Sequence, residues 1–476
     1  MLAIIIIPLL LGIVTLFIRS DEHRSARRRL LILGALFHNF GSLAMLSFRD
    51  LLTWGSYIKI DGLGLVFLLL MSFLFTLVSF YSLGYFPLKR KSDEHESGGH
   101  IYVSCMLFFL TAMTIAISTA HVGILWIAIE GTTLASAPLI YYRQSKRSLE
   151  AAWKYLLICS VGIAIALLGI FFIAASTRGT GAELSLASLT AHAKELDPRL
   201  LRMGFILVLI GFGTKMGLAP MHNWLPDAHS EAPSPISALL SGTLLNCALL
   251  GIIRFYQICV SAGLAEFAGR LLVIFGLVSL FVSAVFIAYQ KDYKRLLAHS
   301  SIEHMGIIAL GIGIGADFAS LLHVVGHSLT KALLFMVAGN ILILYRTKMV
   351  SEVGGLLRTS PSTGALFVIG GLAIVGAPPF LPFISEFLIL REGIATGHPV
   401  IMGLYLLSLG IIFVSMTRSI FRMSQGNRRE LIWGELPKLI VVPPMVLAVA
   451  VIGIGLYLPK QLATLLGSAA NLLKML

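Results

Sequence analysis

The sequence predicts an all-α polytopic membrane protein with about fourteen transmembrane helices in a single integral membrane domain. Of the 476 residues, 57% are hydrophobic and only 12% are charged, whereas a soluble domain has about 25% charged residues. Apolar runs of about 17–25 residues, the length that crosses a bilayer core, recur along the whole chain. No polar linker separates these runs, and without water in the hydrocarbon region such runs must be helical.

The apolar runs define fourteen candidate spans at residues 2–18, 30–47, 61–84, 101–118, 121–142, 152–175, 201–217, 235–257, 267–290, 295–315, 318–345, 362–390, 398–421 and 436–459. The tail at 460–476 is amphipathic and is expected to lie at the membrane surface. We divide the single domain, 1–476, into N-terminal helices (1–100), a first repeat (101–257), a second repeat (267–421) and a C-terminal helix with its tail (436–476).

The net charge of +13 does not indicate a nucleic-acid-binding protein, because the basic residues are scattered through short loops. The loops after odd-numbered spans hold most of the 36 lysine and arginine residues. Loops rich in these residues remain on the cytoplasmic side of a membrane. We therefore expect a multi-pass protein of the inner (cytoplasmic) membrane with both termini on the outer face.

Two of the spans are interrupted. Gly217 and Pro220 interrupt span 7. Pro378, Pro379 and Pro382 interrupt span 12. Proline removes a helix donor and glycine permits a turn, and a pair of broken helices is typical of inverted repeats around a site in the middle of the membrane. Spans 4–8 and 9–13 are the predicted five-helix repeats; two ordinary proline kinks are the alternative.

The four cysteines do not indicate a metal cluster. They are Cys105, Cys159, Cys247 and Cys259, and each lies in or near an apolar run without CxxC spacing. Cysteines in this setting act as small core hydrophobes. Because the sequence also lacks a flavin or nicotinamide motif, we expect no cofactor and no metal in this chain.

Ionisable residues inside the apolar runs are the strongest functional signal. A charged side chain at the centre of a transmembrane helix costs roughly 2.5–3.5 kcal/mol on insertion scales, so such residues are usually functional. Glu130 lies in the middle of span 5 and Lys215 lies in span 7. If their helices touch, moving the two groups together or apart would load or unload a proton on Lys215. A static buried ion pair that fixes helix packing is the alternative.

Span 11 carries three titratable residues at a spacing of four. His323, His327 and Lys331 drift only about 40° per step around an α-helix and therefore lie on one face. Two imidazoles followed by an amine predict a proton relay. A satisfied core histidine is one alternative. A zinc site is another, but the sequence offers no nearby carboxylate or cysteine and Lys331 would repel a cation.

Further polar residues occur near these positions. Glu386 follows the interruption of span 12 and completes the row. We expect the row to run from Glu130 and Lys215 through His323, His327 and Lys331, in that order, to Glu386. Glu303 and His304 in span 10 either line a side access or cap the helix at the interface. The segment that follows span 7 contributes three secondary candidates, which are His222, Asp227 and His229.

Three segments carry a resemblance to a known family. They are KMGLAPMHNWLPDAHSEAPSPISALLSGTLLN, QKDYKRLLAHSSIEHMG and HSLTKALLF. Together they resemble the antiporter-like subunits of respiratory complex I, of group 4 membrane-bound hydrogenases including formate hydrogenlyase, and of Mrp sodium/proton antiporters. The strings LLSGTLLNCALLGIIRFYQ and SSIEHMG are most similar to hydrogenase-4 component F.

The resemblance implies fourteen core helices, two inverted repeats and roles for particular residues. Glu130 and Lys215 match the glutamate–lysine pair of the first half-channel. His327 and Lys331 match the central axis, and Glu386 matches the terminal acidic residue. In one departure, Asn246 stands where many quinone-reductase members have a lysine. An asparagine holds water but carries no proton, so the path at this position would run through water.

The resemblance also implies a function. We expect an antiporter-like subunit that moves protons through a central polar axis, coupled to redox chemistry in partner subunits of a membrane-bound oxidoreductase complex. Those partners would be other membrane subunits and a peripheral arm with Fe–S clusters and, in a hydrogenase, a nickel–iron centre. A Mrp-type Na⁺/H⁺ antiporter subunit without redox coupling and a non-pumping membrane scaffold remain open, as does the choice between H⁺ and Na⁺.

Overall fold

The computed structural model describes residues 1–48, 52–90, 98–425 and 436–474. Within these ranges, eleven helices are long and apolar enough to cross a membrane. The other predicted spans are 1, 7 and 12. Span 1 is a shorter helix of 16 residues, and spans 7 and 12 are interrupted as the sequence predicts. The predicted fold class, an all-α polytopic membrane protein, is confirmed.

In chain order the helices are α1 Leu2–Phe17, α2 Arg24–Ser47, α3 Gly62–Arg90, α4 Gly99–Ser118, α5 Val122–Ile140, α6 Lys146–Ser176, α7 Leu186–Ala191, α8 Pro198–Met216, α9 Trp224–Glu231, α10 Ser234–Leu239, α11 Leu245–Ser261, α12 Ala265–Tyr289, α13 Tyr293–Gly313, α14 Asp317–Tyr345, α15 Leu356–Thr359, α16 Pro361–Ile374, α17 Leu381–Ala395, α18 Pro399–Gln425, α19 Lys438–Leu456 and α20 Lys460–Asn471. A π-helical turn, Leu240–Leu244, joins α10 to α11. Between α2 and α3, strands β1 Thr53–Trp54 and β2 Ile58–Lys59 form an antiparallel hairpin that the sequence did not predict.

Local sequence signals explain where several helices begin. Asp197 caps α8 by accepting hydrogen bonds from the backbone N–H groups of Arg199 (2.8 Å) and Leu200 (3.3 Å). Proline at the first helical position adds to this signal, because it has no N–H to leave unpaired. Asp292 caps α13 in the same way. These caps fix the ends of two helices that carry site residues.

The interruption of span 7 lies between α8 and α9. Gly217 ends α8 with a φ of +84°, a conformation that glycine adopts without the Cβ penalty of other residues. The N–H of Leu218 then bonds the carbonyl of Gly213 at 2.9 Å. The end of the helix leaves carbonyls short of helical partners, and one of them, on Thr214, accepts hydrogen bonds from the Trp224 indole at 2.8 Å and from the N–H of Gly217 at 3.2 Å.

The interruption of span 12, between α16 and α17, has the same local geometry. Gly376 has a φ of +68°, and the N–H of Ala377 bonds the carbonyl of Leu372 at 3.0 Å. The carbonyl at the end of this helix is that of Ile374, and its oxygen lies 3.1 Å from Nε2 of the His304 ring. The pairing of spans 4–8 with spans 9–13 and the division of the domain into repeats stay predictions.

The polar residues of α13 and α14 lie on helices that are buried almost completely. The most apolar windows of α13 and α14 are 94% buried, against 28% for α18 at the periphery. Neighbouring helices approach closely at glycines: a Cβ on Gly169 of α6 would lie 2.7 Å from the carbonyl oxygen of Gly204 on α8. Small residues permit such close packing between membrane helices.

The amphipathic tail forms α20. Its apolar face, with Leu466, Ala469 and Ala470, is buried within the core. The carbonyl of Leu472 accepts a hydrogen bond from Gln257 of α11 at 2.9 Å. The predicted tail therefore packs on the bundle with one face, and its last two residues, 475–476, lie outside the described residues.

Candidate functional site

The first cluster of polar groups, which are buried except for the half-buried Glu130, joins α5, α6 and α8. It consists of Glu130, Thr133, Tyr155 and Lys215. The Lys215 side chain is fully buried, and its Nζ donates to Thr133 Oγ1 at 2.7 Å and to the Tyr155 hydroxyl at 2.6 Å. Thr133 in turn donates to Glu130 Oε2 at 3.1 Å. An amine, a hydroxyl and a carboxylate are thus connected in one hydrogen-bonded row.

The predicted Glu130–Lys215 pair is therefore linked through a third residue. Among the described residues, these two make no direct ion pair, and the hydroxyl of Thr133 stands between them. The other carboxylate oxygen of Glu130 accepts from Ser160 at 2.9 Å. The sequence indicated the two charged members but not the hydroxyl that connects them.

The central part of the row lies between α11, α13 and α14. Lys331 donates to the carbonyl of Leu297 at 2.7 Å and also bonds the Ser300 hydroxyl. His327 Nε2 lies 3.3 Å from the carbonyl of Ser241, which belongs to the π-helical turn. Both residues are fully buried, as the predicted relay requires.

Asn246 reaches the same region from α11. Its Nδ2 donates to Ser328 Oγ at 2.7 Å, next to His327 in the chain. Its Oδ1 is buried without a hydrogen-bond partner among the described residues, as is Nδ1 of His327. Buried polar atoms of this kind usually bond ordered water, and a path through water at Asn246 stays a prediction.

The second cluster joins α13, α14 and α17. It consists of His304, His323, Ser385 and Glu386. His304 Nδ1 lies 2.7 Å from His323 Nε2, and His323 Nδ1 lies 2.8 Å from Ser385 Oγ. Glu386 has a carboxylate oxygen within 4.8 Å of the two histidines. A Cβ on Gly376 would collide with this carboxylate, so the glycine at the helix interruption makes room for it.

The structure corrects the predicted order of the row. The sequence ordered it as His323, His327, Lys331 and then Glu386. His323 is the member beside Glu386, and Lys331, eight residues later on α14, lies about 12 Å further along the helix. Helical periodicity places the three residues on one face but does not say which end meets a neighbouring helix.

His304 and Glu303 are both buried in the middle of α13, so neither caps that helix at an interface. The His304 ring lies between two others, with centroids 4.9 Å from His323 and 5.2 Å from His327. It therefore connects the central part of the row to the second cluster. Glu303 Oε2 has no hydrogen-bond partner in the described part of the chain.

The second cluster is also the group whose donors come nearest to a metal site. His304, His323 and Glu386 offer ligand atoms within 4.8 Å of one another. Two nitrogens on one tetrahedral zinc stand roughly 3.3 Å apart, whereas these two are 2.7 Å apart. The geometry fits a shared hydrogen atom, and binding a metal would require the rings to separate.

The three secondary candidates after span 7 have different surroundings. Asp227 pairs with Lys154 at 3.1 Å and with Arg295 at 2.7 Å. His229 is fully buried, stacks on Phe335, and has no hydrogen-bond partner for either ring nitrogen within the described ranges. His222 is largely buried, and its ring meets Phe286 edge-on. Asp227 thus joins helices, whereas the two histidines are buried and keep ring nitrogens without a hydrogen-bond partner among the described residues.

Sequence reasoning missed the hydroxyl groups of the row and one buried histidine. Thr133, Tyr155 and Ser385 gave no signal, because Ser and Thr in membrane helices commonly bond their own backbone. His38 on α2 is fully buried and lies 2.7 Å from Ser72 and 2.9 Å from Thr114. The sequence feature that could have identified His38 is its position inside an apolar run.

Fold and site together define a polytopic membrane protein with a row of buried ionisable groups through its interior. The chain belongs to the family described as NADH:quinone oxidoreductase/Mrp antiporter, transmembrane, which matches residues 119–412. It is 37% identical over 453 residues to the hydrogenase-4 component F homolog of Methylacidiphilum infernorum (isolate V4), covering 91% of this chain and 92% of that protein. The resemblance inferred from the sequence is confirmed.

Two solved structures share the fold. One belongs to the membrane-bound sulfane sulfur reductase, an archaeal respiratory membrane complex; it has a TM-score of 0.87, 23% identity and coverage of 99% of this chain and 97% of that chain. The other belongs to the Mrp complex from Dietzia sp. DQ12-45-1b, with a TM-score of 0.87, 17% identity and the same coverage. At these identities the likeness concerns the fold.

Proposed function

We propose that this chain is a proton-translocating antiporter-like subunit of a membrane-bound oxidoreductase complex of the group 4 hydrogenase or complex I type. The family match and the long alignment with a hydrogenase-4 component F homolog support the class of complex. The single observation that carries the transport function is the row of buried ionisable groups. Burying so many ionisable groups inside a membrane protein is energetically costly, so such residues are usually functional.

In this proposal a proton arrives from the cytoplasm near Asp227 and His229 and loads Lys215. Thr133 connects Lys215 to Glu130, so a change in the charge or position of Glu130 alters how firmly Lys215 holds its proton. Electrostatic interaction with a neighbouring subunit supplies that change in Glu130. The path then crosses water at Asn246 towards α14.

The second half of the path follows α14 and α13. Lys331 and His327 receive the proton in the centre, and Glu303 lies nearby on α13. The rings of His304 and His323 carry it to Glu386, from which it leaves on the far side. His222 is a further candidate on the uptake side. The six primary residues are Glu130, Lys215, His323, His327, Lys331 and Glu386, and His304 joins them through its ring contacts.

The redox chemistry belongs to partners in this proposal. The chain would sit in the inner membrane with both termini on the outer face, beside other membrane subunits and a peripheral arm. Fe–S clusters and, in a hydrogenase, a nickel–iron centre would be in that arm. The relatives that share the fold belong to membrane complexes, which supports such an assembly.

A Mrp-type Na⁺/H⁺ exchange function is the second candidate. The observation in its favour is the fold shared with a chain of a Mrp complex over 99% of this chain. It differs in its driving force, because exchange would use ion gradients and not electrons.

The test uses the intact complex, purified from its native membrane and placed in liposomes. Lys215→Ala is expected to stop proton translocation through this subunit while electron transfer continues, and the exposed Lys194→Ala is the control. Unchanged translocation in the Lys215 variant would overturn the proposal. Proton movement driven by a sodium gradient without any redox substrate would favour the exchanger.

A further inference from the structure

The hydrogen bonds around His304 fix the position of one ring proton. Its Nε2 lies 3.1 Å from the carbonyl oxygen of Ile374. A carbonyl only accepts, so Nε2 carries the hydrogen. Nδ1 of a neutral His304 is therefore a lone pair, and it points at His323.

The helix interruption explains why that carbonyl is available. Ile374 is the last residue of α16, two positions before Gly376. The last carbonyls of a helix have no partner inside the helix. The interruption of span 12 therefore supplies the acceptor that sets the tautomer of His304, in addition to making room for Glu386.

His323 is held between a ring and a hydroxyl. Its Nε2 lies 2.7 Å from His304 Nδ1, and its Nδ1 lies 2.8 Å from Ser385 Oγ. Ser385 has one hydroxyl proton, which also reaches the carbonyls of Pro382 at 2.9 Å and Leu381 at 3.2 Å. The hydroxyl can therefore donate either to His323 or to its own helix.

These two hydroxyl positions correspond to two protonation states. When Ser385 donates to His323 Nδ1, His323 Nε2–H donates to His304 and His304 Nε2–H donates to Ile374, and both rings are neutral. When Ser385 turns to a backbone carbonyl, the freed lone pair on His323 Nδ1 binds one added proton, and the new N–H donates to Ser385 Oγ. The pair of rings then carries one positive charge, and every hydrogen bond is still made.

We propose that His304, His323 and Ser385 form a proton-storing site that takes up one proton by rotating a hydroxyl group, without moving a heavy atom. Its place in a transport path rests on the proposed function, whereas its capacity to store a proton does not. Because the N–N distance is short, the charge can be held on either ring. The site would deliver its proton to Glu386.

Several ionisable groups face this site from the helices packed around it. Glu386 faces it from α17, and Glu303 lies one residue before His304 on α13. His327 and Lys331 face it from α14. Each carboxylate favours the charged state of the two rings when it is ionised, and Lys331 opposes that state when it is itself charged. The site therefore responds to the loading of its neighbours.

The direct test is nitrogen NMR of the intact complex in liposomes with ¹⁵N-labelled histidine, titrated over about pH 5–9, the range in which imidazoles change charge. We expect a coupling across one N–H···N hydrogen bond that persists through the titration, while His323 Nδ1 changes from an acceptor to an N–H. The His304→Gln variant should lose that coupling. A pair that separates when protonated, or one that does not titrate, would overturn the proposal.

Serine variants test the hydroxyl. Ser385→Ala should slow proton translocation about tenfold, the order of effect of removing a hydrogen bond to a charged group. Ser385→Thr, which keeps the hydroxyl, should restore most of the rate. Ser408→Ala is the matched control, since within the described part of the chain its buried hydroxyl donates only to the carbonyl of Leu404 on its own helix.

The outcomes separate this proposal from the proposed function. If Lys215→Ala stops translocation but Ser385→Ala does not slow it, the storage site is wrong and the transport function stands. If the wild-type complex moves no protons while the NMR titration shows the shared proton, the transport function is wrong and the storage site stands.

Discussion

The first and second clusters hold protons by different chemistry. In the first, Lys215 donates to two hydroxyls, and an ammonium group has donors and no acceptor. In the second, each imidazole of His304 and His323 can donate and accept at the same time. The first cluster is therefore suited to keeping a charge until an outside influence releases it, and the second to passing a proton onward.

The two clusters share one structural feature, which is an interrupted helix beside the charged group. Lys215 is the second-to-last residue of α8, before the glycine that ends that helix, and Glu386 packs against the glycine that follows α16. A broken helix leaves free carbonyls and space next to the site. The comparison indicates that the interruptions position the charged groups at both ends of the row.

The largest expected effect comes from the glycine beside Glu386. In Gly376→Ala the added Cβ displaces the Glu386 carboxylate, and we expect proton translocation to fall about 100-fold, as for loss of a proton-transfer group. Gly315→Ala is the matched control, because Gly315 has a similar φ of +84° with nothing within 4 Å of the added carbon. Equal effects of the two substitutions in the liposome assay would show that backbone strain alone is responsible.

A smaller effect is expected in the first cluster. Thr133→Val keeps the shape of the side chain but removes the hydroxyl between Lys215 and Glu130, and proton translocation should fall about tenfold. Thr132→Val on the same helix is the control, since among the residues that the structure describes its buried hydroxyl bonds only the carbonyl of Ile129. If Thr133→Val pumps normally, Glu130 does not act on Lys215 through this hydroxyl.

The packing of α6 against α8, next to the first cluster, should affect the stability of the protein. It should not affect the coupling of proton translocation to electron transfer. Gly204→Ala places a Cβ 2.6 Å from a side-chain carbon of Ile173 and 2.9 Å from the carbonyl oxygen of Gly169. Overpacking of this kind costs about 1–3 kcal/mol, seen as a lower thermal unfolding midpoint of the purified complex. The protons moved per electron should stay unchanged. Gly403→Ala, with open space around the added carbon, should leave the midpoint where it is.

The smallest effect concerns an ion pair outside the row. Burial raises the pKa of Glu231, but the hydrogen bond and charge of Lys348, together with the charges of Arg143 and Lys294, lower it by more, so the pKa lies below its ordinary 4.5. The stabilisation is thus present above pH 4.5 and is lost as the pH falls through the lower folded-state value.

Glu231→Gln should therefore cost at most about 1 kcal/mol near neutral pH, the range of a partly exposed pair. The difference in unfolding midpoint between this variant and the wild type should shrink as the solution is acidified below pH 4.5. A difference that grows on acidification would contradict the assignment.

The sequence predicted the helical spans and the charged members of the row, because bilayer thickness and the cost of buried charge leave strong local signals. It could not predict which residues of different helices meet. The place of His304 beside His323 depends on how α13 packs against α14, and the role of Thr133 depends on the approach of α5 to α8. Spacing along one helix carries no information about either contact.

Hydroxyl residues illustrate the same limit. Thr132 and Thr133 are adjacent and identical in type, yet only Thr133 faces Lys215. The direction of the row along α14 was wrong for the same reason, since only the position of α17 shows that His323 and not Lys331 meets Glu386.

The central claim is that the buried row carries protons, and Lys331 in its middle is the residue that tests it most directly. The measurement is simultaneous recording of electron transfer and of acidification inside liposomes that contain the intact complex with Lys331→Ala. The account predicts continued electron transfer with fewer protons moved per electron. An unchanged ratio of protons to electrons would contradict it.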